Sequence, residues 1–381
     1  MAFSVRRLGK RFFISVNMVV SGLFLVACLQ PWLNPETFWW VSFMSLSLPI
    51  GLLGVVAFLI FWLVLKKWRV ALIPLVTLAL GWKQLGVLFG THKAAFSTAT
   101  QPGQMRVLSW NVRSFAGLKP GKAHKAANAD SMFALVAKYA ADVVCFQEFG
   151  QYATPGLGED YRAKMKALGY VHHVLSNDYS RTIYNYTNGL AIFSKWPLVA
   201  TKRIPFTSSP ESLLYADVKV PKGPTVRIYN THLQSYKFNG EDYADIERIK
   251  TNDDKLVEAG KNIFSKMKRA FRNRGQQADM IRPILDESPN PEILCCDLND
   301  VPASYAYWKL RGNRKDAFLE KGWGVGRTFL ALSPTLRIDY LMANPRLPVQ
   351  QFSVINKRFS DHLPLVMDVL LESPAVTPTK N

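Results

Sequence analysis

Polar side chains of the Asn, Asp, Glu and His types end several apolar runs in the C-terminal two thirds of this chain. The clearest case is ILCCDLND, residues 293–300, where a buried-looking strand ends in Asp297 and Asn299. Asp and Asn favour turns, so one such stretch has a purely structural explanation. The pattern recurs in SWNVR, CFQEF, YNTHLQ, RIDYL and FSDHLP, and these runs add Asn111, Glu148, Asn230, His232, Asp339, Asp361 and His362.

These residue types suit one kind of chemistry when they converge. Buried carboxylates are costly unless they are paired or bind a cation. Carboxylate and amide oxygens without a thiolate cluster favour a hard ion such as Mg²⁺ or Mn²⁺. Such an ion polarises a phosphoryl oxygen, a carboxylate can take a proton from water, and histidines can donate to developing negative charge. The residues therefore predict metal-dependent hydrolysis of a phosphate ester.

The elements that must position these residues begin at Met105. Short β-rich runs follow one another, and many are separated by Gly, Pro or Asn clusters. Apolar residues recur at helical spacing in 131–140 and around 250–285. This alternation predicts an α/β domain in which helices cover two sheets.

The ordered series SWNVR, QE, NGLAIFSK, NTHLQ, DLND, RIDYL and SDHLP resembles the endonuclease/exonuclease/phosphatase superfamily, which has the DNase I-like fold. The resemblance covers residues 105–371. It implies a four-layer α/β sandwich that hydrolyses phosphoester bonds with a divalent metal. One departure is Cys296, which stands where many relatives have Gly.

The resemblance also implies catalytic roles. Asp297 would activate or orient the attacking water, and Asn299 would position that water or the phosphate. His362, oriented by Asp339, would stabilise the phosphorane-like state. His232 would contact the phosphate or protonate the leaving group. Which group is the general base stays open.

The remaining matched residues would bind the metal and the substrate. Glu148 would hold Mg²⁺ or Mn²⁺ with the help of Asn111 and Asp361. The expected substrate contacts are Asn188, Asn230 and Arg113. Nucleases of this family often have a tyrosine at the site; Tyr184 and Tyr186 lie nearby in the sequence, but neither aligns with that position, which is a second departure.

Three apolar runs precede the globular part, at 12–34, 38–65 and 70–90. A helix that crosses a bilayer needs about 20 apolar residues, so the runs predict three transmembrane helices. The first run could instead be a signal peptide, although its uncharged stretch exceeds the usual length of about 7–15 residues. The stretch LVAC, which ends at Cys28, is also similar to a bacterial lipoprotein processing site.

Basic residues set the expected orientation. They precede the first run (Arg6, Arg7, Lys10 and Arg11) and separate the second from the third (Lys66, Lys67 and Arg69). Because basic loops stay in the cytoplasm, the globular part is expected on the outer or periplasmic face. The predicted organisation is a cytoplasmic tail (1–11), three membrane helices (12–90), a linker (91–104), the catalytic domain (105–371) and a flexible tail (372–381).

The charge balance points to an anionic partner. The chain has a net charge of +19, with 47 Lys and Arg against 28 Asp and Glu. Phosphates, nucleic acid and anionic lipid heads all fit this balance. A lipid head group or small phosphoester is the favoured substrate. The alternatives are an extracytoplasmic nuclease that uses the basic stretch 261–282, and a catalytically inactive binding domain. The four cysteines lie in apolar segments and are expected to be packing residues.

Overall fold

The structure is a computed structural model that describes residues 2–371 apart from 94, 119–121, 153–158, 183–184, 208, 239, 243–245, 247–255 and 334. The predicted tail, 372–381, lies outside the described residues. The chain divides into two compact units. The first comprises Met1–Leu88, Phe238–Gln276 and Val301–Lys309, and the second comprises Phe89–Lys237, Gln277–Asp300 and Leu310–Asn381. Two segments of the predicted catalytic domain therefore belong to the first unit.

The described helices and strands follow one another in mixed order. The helices are α1 Ala2–Cys28, α2 Pro35–Leu46, α3 Leu48–Val64, α4 Trp68–Leu80, α5 Trp82–Leu85, α6 Lys122–Tyr139, α7 Tyr161–Ala167, α8 Leu256–Asp286, α9 Tyr305–Arg311 and α10 Ala317–Lys321. The strands are β1 Gly90–Thr91, β2 Gln104–Asn111, β3 Val143–Tyr152, β4 His172–Leu175, β5 Tyr179–Arg181, β6 Tyr186–Ser194, β7 Leu198–Pro205, β8 Ser212–Lys219, β9 Thr225–His232, β10 Glu292–Asp297, β11 Lys315–Asp316, β12 Trp323–Gly324, β13 Asp339–Ala343, β14 Val349–Val354 and β15 Leu365–Leu370.

The apolar helices of the first unit support the prediction of three membrane spans only in part. Among the described residues, one apolar helical segment, Arg7–Trp32, is long enough to cross a membrane. Helices α2 and α3 would make a second span only if they count as one, and they are bent by 56° at Ser47. Helix α4 has 13 residues and ends at Leu80, and an added Cβ at the next residue, Gly81, would lie 2.6 Å from the Phe24 ring. The predicted third span is therefore divided between α4 and the four-residue helix α5.

Helix α8 contributes its N-terminal part to the first unit. The ring of Phe264 stacks on Phe43 with 4.8 Å between centroids, and Phe271 meets Phe43 edge to face at 5.0 Å. Nζ of Lys268 lies 4.3 Å from the centroid of the Trp39 ring. These contacts join α8 to α2 through aromatic side chains, which sequence periodicity alone does not pair.

The second unit contains two mixed sheets. One sheet has six strands in the order β11-β13-β10-β9-β8-β7, and the other has seven, in the order β14-β15-β2-β3-β6-β4 with β5 paired to β6. The pairs β2/β3 and β9/β10 are parallel, and the other ladders are antiparallel. A two-stranded ribbon pairs β1, where the predicted membrane segment meets the predicted linker, with β12 of the predicted catalytic domain.

The core of the second unit explains why the strands have few polar residues. Side chains from both sheets fill the space between them, among them Val107, Cys145, Ile228 and Cys295. The opposite face of the seven-stranded sheet packs against α6 and α7, where Met132 and Met165 are buried, for example. On the six-stranded sheet, the hydroxyl of Tyr229 donates to the carbonyl of Ile284 in α8 at 3.0 Å. The prediction of two sheets covered by helices is confirmed.

The four cysteines are buried and free. Complete burial raises the pKa of Cys145 and Cys296 well above the ordinary value for a thiol. Both thiols therefore stay neutral and act as small apolar side chains in the core. The prediction that they are packing residues is confirmed.

The register of the sheets brings the polar strand ends together. Asp297 at the end of β10 is aligned with His232 on the parallel strand β9 and with Asp339 at the start of the antiparallel strand β13. In the other sheet, Asn111 ends β2 beside Gln147 of the parallel strand β3. Because parallel strands end at the same edge of a sheet, residues far apart in sequence become neighbours.

Candidate active site

Three oxygen-bearing side chains meet where the ends of β2 and β10 lie beside the interior of β3. Nδ2 of Asn111 donates to Oε1 of Glu148 at 3.1 Å and to Oδ2 of Asp297 at 2.9 Å. Asn111 and Asp297 are buried, whereas the side chain of Glu148 is 36% exposed. One amide therefore holds two carboxylates together, with Glu148 on the solvent side.

Two histidines flank the carboxylate of Asp297. Nε2 of His232 lies 3.6 Å from Oδ2 of Asp297 and 3.9 Å from Oε1 of Glu148. Nδ1 of His362 lies 3.7 Å from the same oxygen of Asp297. The other oxygen, Oδ1, accepts a hydrogen bond from the backbone N–H of Asn299 at 2.9 Å. These contacts bring Asp297, Asn299, His232 and His362 into one site. Asp339, the partner of His362, completes the set of five residues predicted to be catalytic.

Asp339 is the hydrogen-bond partner of His362. Nδ1 of His362 lies 3.0 Å from both carboxylate oxygens of Asp339. Burial alone would lower the pKa of His362, but the charges of Asp339 and Asp297 outweigh it and raise that pKa to about 10. Burial likewise raises the pKa of Asp339, against the opposing effect of His362. The imidazole of His362 is thus positively charged at neutral pH.

The position of Glu148 depends on an irregularity in β3. The pairing of β3 with β6 shifts register between Phe146 and Phe149, and Glu148 has a φ of 50°. A bulge of this kind turns a side chain out of the ladder and is common beside active sites. It directs Glu148 toward Asn111 instead of leaving it in the regular alternation of the strand.

Asn188 lies beside this bulge within a hydrogen-bonded cluster. Its Nδ2 lies 2.6 Å from Oγ of Ser114 and 3.2 Å from the hydroxyl of Tyr186, which itself donates to Ser114 at 2.9 Å. Gly150 makes room for the cluster, because a Cβ there would collide with the Tyr186 hydroxyl and lie 2.9 Å from Oγ of Ser114. Tyr184, the other tyrosine available to the site, lies outside the described residues.

Asp361 and Arg113 lie at the rim of the site. Nε of Arg113 is 3.5 Å from Oδ2 of Asp361, and the two side chains are 48% and 23% exposed. Oδ1 of Asp361 accepts from the hydroxyl of Ser360 at 3.1 Å, and that hydroxyl also lies 2.9 Å from the carbonyl of Asn111. Asp361 is therefore tied to the end of β2 by its neighbour.

The structure corrects the prediction that Asn230 contacts the substrate. Asn230 is fully buried, its Nδ2 donates to the carbonyls of Phe146 and Ala191 at 2.9 and 3.0 Å, and its Oδ1 accepts from Gln147 at 2.7 Å. These partners belong to the seven-stranded sheet, whereas Asn230 belongs to β9 of the six-stranded sheet. The side chain joins the two sheets and has no free N–H to offer a substrate.

The donor set suits a hard cation. Among the described residues, no Lys or Arg nitrogen lies within 4.0 Å of the carboxylate of Glu148 or Asp297. Two adjacent carboxylates without such a partner, beside an amide, fit Mg²⁺ or Mn²⁺. A different group, Asp297, Asp339 and His362, has ligand atoms within 4.8 Å of one another. In that group Nδ1 of His362 already contacts both carboxylate oxygens of Asp339 at 3.0 Å, so it fits a cation less well.

Sequence reasoning did not find several residues that shape the site. Trp110 donates from Nε1 to the backbone carbonyl of His362 at 2.9 Å, and Oγ1 of Thr328 accepts from the backbone N–H of Asp339 at 3.2 Å. Glu211 and Tyr179 line a cleft that also includes Glu148, Asn188 and His232. Trp110 adjoins Asn111 in sequence and could have been found, whereas Thr328 and Glu211 lie in segments with no distinctive motif.

Several solved structures are similar to this chain. The human Nocturnin catalytic domain with bound sulfate anion is 17% identical, covering 72% of this chain and 97% of that one with a TM-score of 0.51. An endonuclease/exonuclease/phosphatase from Beutenbergia cavernae is 22% identical, with coverage of 70% and 72% and a TM-score of 0.49. Sphingomyelinase C from Streptomyces griseocarneus is 19% identical, with coverage of 70% and 99% and a TM-score of 0.46. No curated protein matches the chain.

Two family models match separate parts of the sequence. A domain of unknown function matches residues 10–88, and the Endonuclease/Exonuclease/phosphatase family matches residues 108–362. The second match spans well over half of the chain and includes every predicted site residue. The mixed sheets and their order are those of the α/β DNase I-like fold, and the chain belongs to the endonuclease/exonuclease/phosphatase family.

Proposed function

We propose that this protein is a membrane-anchored, divalent-metal-dependent phosphoesterase that hydrolyses a phosphodiester or phosphomonoester. A lipid head group or a small phosphoester is the favoured substrate. The proposal rests on one observation: the amide of Asn111 donates to both Glu148 and Asp297, and His232 lies 3.6 Å from Asp297. This arrangement places three groups in one site: oxygen ligands for a metal, a carboxylate that can take a proton from water, and imidazoles that can contact the phosphate.

The metal would be held by Glu148, with Asn111 and Asp361 beside it. When bound, Mg²⁺ or Mn²⁺ supplies polarisation of a phosphoryl oxygen and compensates negative charge in the transition state. Asn111 would offer its Oδ1, which accepts from the backbone N–H of Arg113 at 3.0 Å. Asp361 would leave its contact with Arg113 to serve as a metal ligand. The guanidinium of Arg113 would then contact the substrate.

The remaining residues would handle protons and charge. Asp297 would orient the attacking water and accept its proton, while the N–H of Asn299 fixes the other oxygen of that carboxylate at 2.9 Å. His362, kept positive by Asp339, would stabilise charge that develops on the phosphoryl oxygens. His232 would contact the phosphate or protonate the leaving group, and Asn188 would lie against the phosphate.

The N-terminal helices would anchor the enzyme. The bent pair α2–α3 and the divided segment α4–α5 would each cross the bilayer in addition to α1, which gives three crossings. Basic residues before the first crossing and between the second and third support a cytoplasmic N-terminus. The catalytic part would then lie on the outer or periplasmic face.

The basic stretch 261–282 gives little support to the nuclease alternative. Nζ of Lys266 pairs with Asp242 at 2.6 Å, Lys268 lies over Trp39, and Arg274 is fully buried. These charges are used within the fold, so they are not all available to a phosphate backbone.

An assay of the purified full chain in detergent tests the activity. Mg²⁺ or Mn²⁺ would be supplied with DNA, RNA, sphingomyelin, phosphoinositides and simple monoesters, and Asp297→Ala would be the control for the proposed chemistry. We expect metal-dependent hydrolysis of a lipid or small ester that changes little with salt. Steeply salt-dependent cleavage of DNA or RNA would favour the nuclease. Full activity in Asp297→Ala would contradict the assigned chemistry, and binding without turnover would favour an inactive domain.

Labelling of introduced cysteines tests the topology. Since the four native cysteines are buried, a membrane-impermeant maleimide should give a low background in intact cells. We expect Lys222→Cys, in an exposed turn of the catalytic part, to react from outside, and Lys10→Cys to react only after permeabilisation. The reverse pattern would contradict the proposed orientation.

A further inference from the structure

The N-terminal part of α8 carries charge of one sign. Residues 261–276 include six Lys and Arg and no Asp or Glu. Lys261, Arg269 and Arg272 are exposed, and within the described part of the chain no carboxylate oxygen lies within 4.0 Å of their side-chain nitrogens. Because an α-helix has 3.6 residues per turn, spacings of eight and three residues place these cations on one side of α8. They form a basic stripe that is available to an external anion.

The adjoining side of α8 packs on α2. The rings of Phe264 and Phe271 both contact Phe43, with centroids 4.8 and 5.0 Å away. A Cβ added at Gly275 would lie 3.1 Å from Cδ of Pro35, the first residue of α2. Phe264 lies one turn after the start of the basic stripe, and Gly275 lies one turn after its end. The basic stripe therefore runs beside α2 over its whole length.

Aromatic side chains accompany the cations along this contact. The side chains of Trp40 and Phe264 are 46% and 45% exposed, and Nζ of Lys268 lies 4.3 Å from the centroid of the Trp39 ring. Trp and Phe beside Lys and Arg are typical of helices that lie in the head-group region of a bilayer. In the proposed topology, α2 enters the membrane from the outer face. It would then hold the basic stripe at the depth of the lipid head groups.

The position of the basic stripe favours a lipid over other anions. A nucleic acid or an acidic protein could also meet three cations, but each would have to be recruited from solution. The bilayer that holds α2 supplies phosphate head groups beside the stripe at a high effective concentration. Anionic phospholipids add net negative charge to these head groups, and each Lys or Arg near such a surface strengthens binding about fivefold.

We propose that the basic stripe of α8, Lys261, Arg269 and Arg272, binds the head groups of anionic phospholipids in the outer leaflet. The N-terminal part of α8 then lies along the membrane surface beside α2. This inference rests on the membrane anchorage proposed for the apolar helices and goes beyond it, and it does not require the phosphoesterase activity. The attraction is electrostatic, so it weakens as the salt concentration rises.

An environment-sensitive fluorophore on α8 tests the contact. Ser265→Cys places a reactive thiol between Lys261 and Arg269, while the four native cysteines are buried. The full chain, labelled there with a nitrobenzoxadiazole, would be titrated in neutral detergent micelles with dioleoyl phosphatidylglycerol or dioleoyl phosphatidylcholine. We expect a blue shift with phosphatidylglycerol that shrinks between about 50 and 500 mM NaCl, and a much smaller shift with phosphatidylcholine. The same label on Lys222→Cys, in an exposed turn, should not respond.

Charge-removing variants of the labelled chain identify the residues. Arg269→Gln should raise the mole fraction of phosphatidylglycerol at the half-maximal shift about fivefold. The triple variant Lys261→Gln/Arg269→Gln/Arg272→Gln should abolish the difference between the two lipids.

The matched control is Lys202→Gln/Lys219→Gln/Lys222→Gln, which removes three exposed cations elsewhere and should leave the titration unchanged. If the triple variant of the basic stripe does not fold, Arg269→Gln and Arg272→Gln carry the test separately.

The possible outcomes separate this inference from the proposed activity. Equal shifts with both lipids, or a phosphatidylglycerol response that survives the triple variant, would overturn the lipid contact. A shift with duplex DNA or polyglutamate and none with phosphatidylglycerol would assign the basic stripe to a soluble polyanion and also overturn it. Hydrolysis would be measured on the same samples. A lipid response without hydrolysis of any ester would refute the phosphoesterase and keep the contact, whereas hydrolysis without a lipid response would refute the contact alone.

Discussion

Nδ1 of His362 lies 3.0 Å from both carboxylate oxygens of Asp339, and neither side chain is more than 7% exposed. Asp339 begins β13, whereas His362 belongs to the segment just before β15. Asp339 belongs to the six-stranded sheet, and His362 lies three residues before a strand of the seven-stranded sheet. Their contact therefore links the sheets at the site and fixes the ring of His362, whose charge faces Oδ2 of Asp297 at 3.7 Å.

Replacement of Asp339 by Asn should weaken catalysis more than folding. The amide keeps the size of the side chain but removes the charge that favours the protonated form of His362. We expect kcat to fall about 100-fold, within the range of roughly 10²–10⁴ ascribed to positioned acid–base groups. The measurement is kcat for a chromogenic diester at saturating Mg²⁺, with thermal unfolding to confirm the fold. Asp130→Asn, on an exposed part of α6, is the matched control, and a kcat within twofold of wild type would refute the role of Asp339.

Replacement of Glu148 by Gln should weaken metal binding. Loss of one carboxylate from an oxygen site lowers its attraction for a divalent cation, and changes at metal sites commonly cost about 10–100-fold in affinity. We expect the concentration of Mn²⁺ for half-maximal activity to rise about tenfold or more, and chelation of the metal to abolish activity in the wild type. Binding of Mn²⁺ followed by electron paramagnetic resonance gives a readout that does not depend on turnover. Glu159→Gln, an exposed exchange of the same type, should bind normally; unchanged Mn²⁺ affinity in Glu148→Gln would place the metal elsewhere.

The general position of the site could be predicted from the sequence because it depends on strand ends. Asp297 and His232 end neighbouring parallel strands, and Asn111 ends a strand in the other sheet. Polar residues after apolar runs mark such ends directly. Residues predicted as separate motifs therefore meet once the strands are aligned, and the α/β class follows from the same alternation of strands and helices.

Other features depend on contacts that sequence patterns do not contain. In the sequence, Asn230 follows an apolar run just as Asn111 does. In the structure, however, both N–H groups of its amide donate to carbonyls of the opposite sheet. The bulge that turns Glu148 outward and the burial of Glu211 arise from packing between strands distant in sequence. The third apolar run is continuous by hydropathy alone, but in the structure it forms two helices with a break at Gly81.

Replacement of Asn230 by Leu should lower stability while leaving the chemistry of folded molecules intact. Leu has a similar shape but leaves the carbonyls of Phe146 and Ala191 and the amide of Gln147 without this partner. We expect the free energy of unfolding to fall by about 2–4 kcal/mol, since each buried polar group left unpaired costs about 1–3 kcal/mol. Urea denaturation measures the loss. Asn188→Leu is the comparison, in which kcat/KM should fall more than stability; an Asn230→Leu variant of normal stability would contradict the structural role.

The stability conferred by Glu211 should depend on pH with a defined sign. Its pKa is lowered in the folded protein, where Tyr179, Ser209, Lys237 and His232 face it. The ionised form therefore stabilises the fold fully above the unfolded pKa of about 4.3, and this contribution is lost as the pH falls through the folded value. We expect the difference in unfolding free energy between wild type and Glu211→Gln to be larger at about pH 6 than at about pH 3.5. Urea titrations at both pH values measure it, and a difference that grows in acid would show that the pKa is raised instead.

Gly150 should be required for the position of Asn188. In the β3/β6 ladder, Gly150 is the register partner of Asn188, and an added Cβ would collide with the Tyr186 hydroxyl and approach Cβ of Ser114 to 2.8 Å. We expect Gly150→Ala to displace the cluster and to lower kcat/KM about tenfold, since insertion of a methyl group into a packed region costs about 1–3 kcal/mol. Tyr186→Phe removes the closest atom, so the double variant Gly150→Ala/Tyr186→Phe should recover part of the loss relative to the product of the single effects. Gly240→Ala, where nothing lies within 4 Å of the added Cβ, is the control. If the two single effects simply multiply, the Tyr186 hydroxyl is not the atom that requires a glycine at position 150.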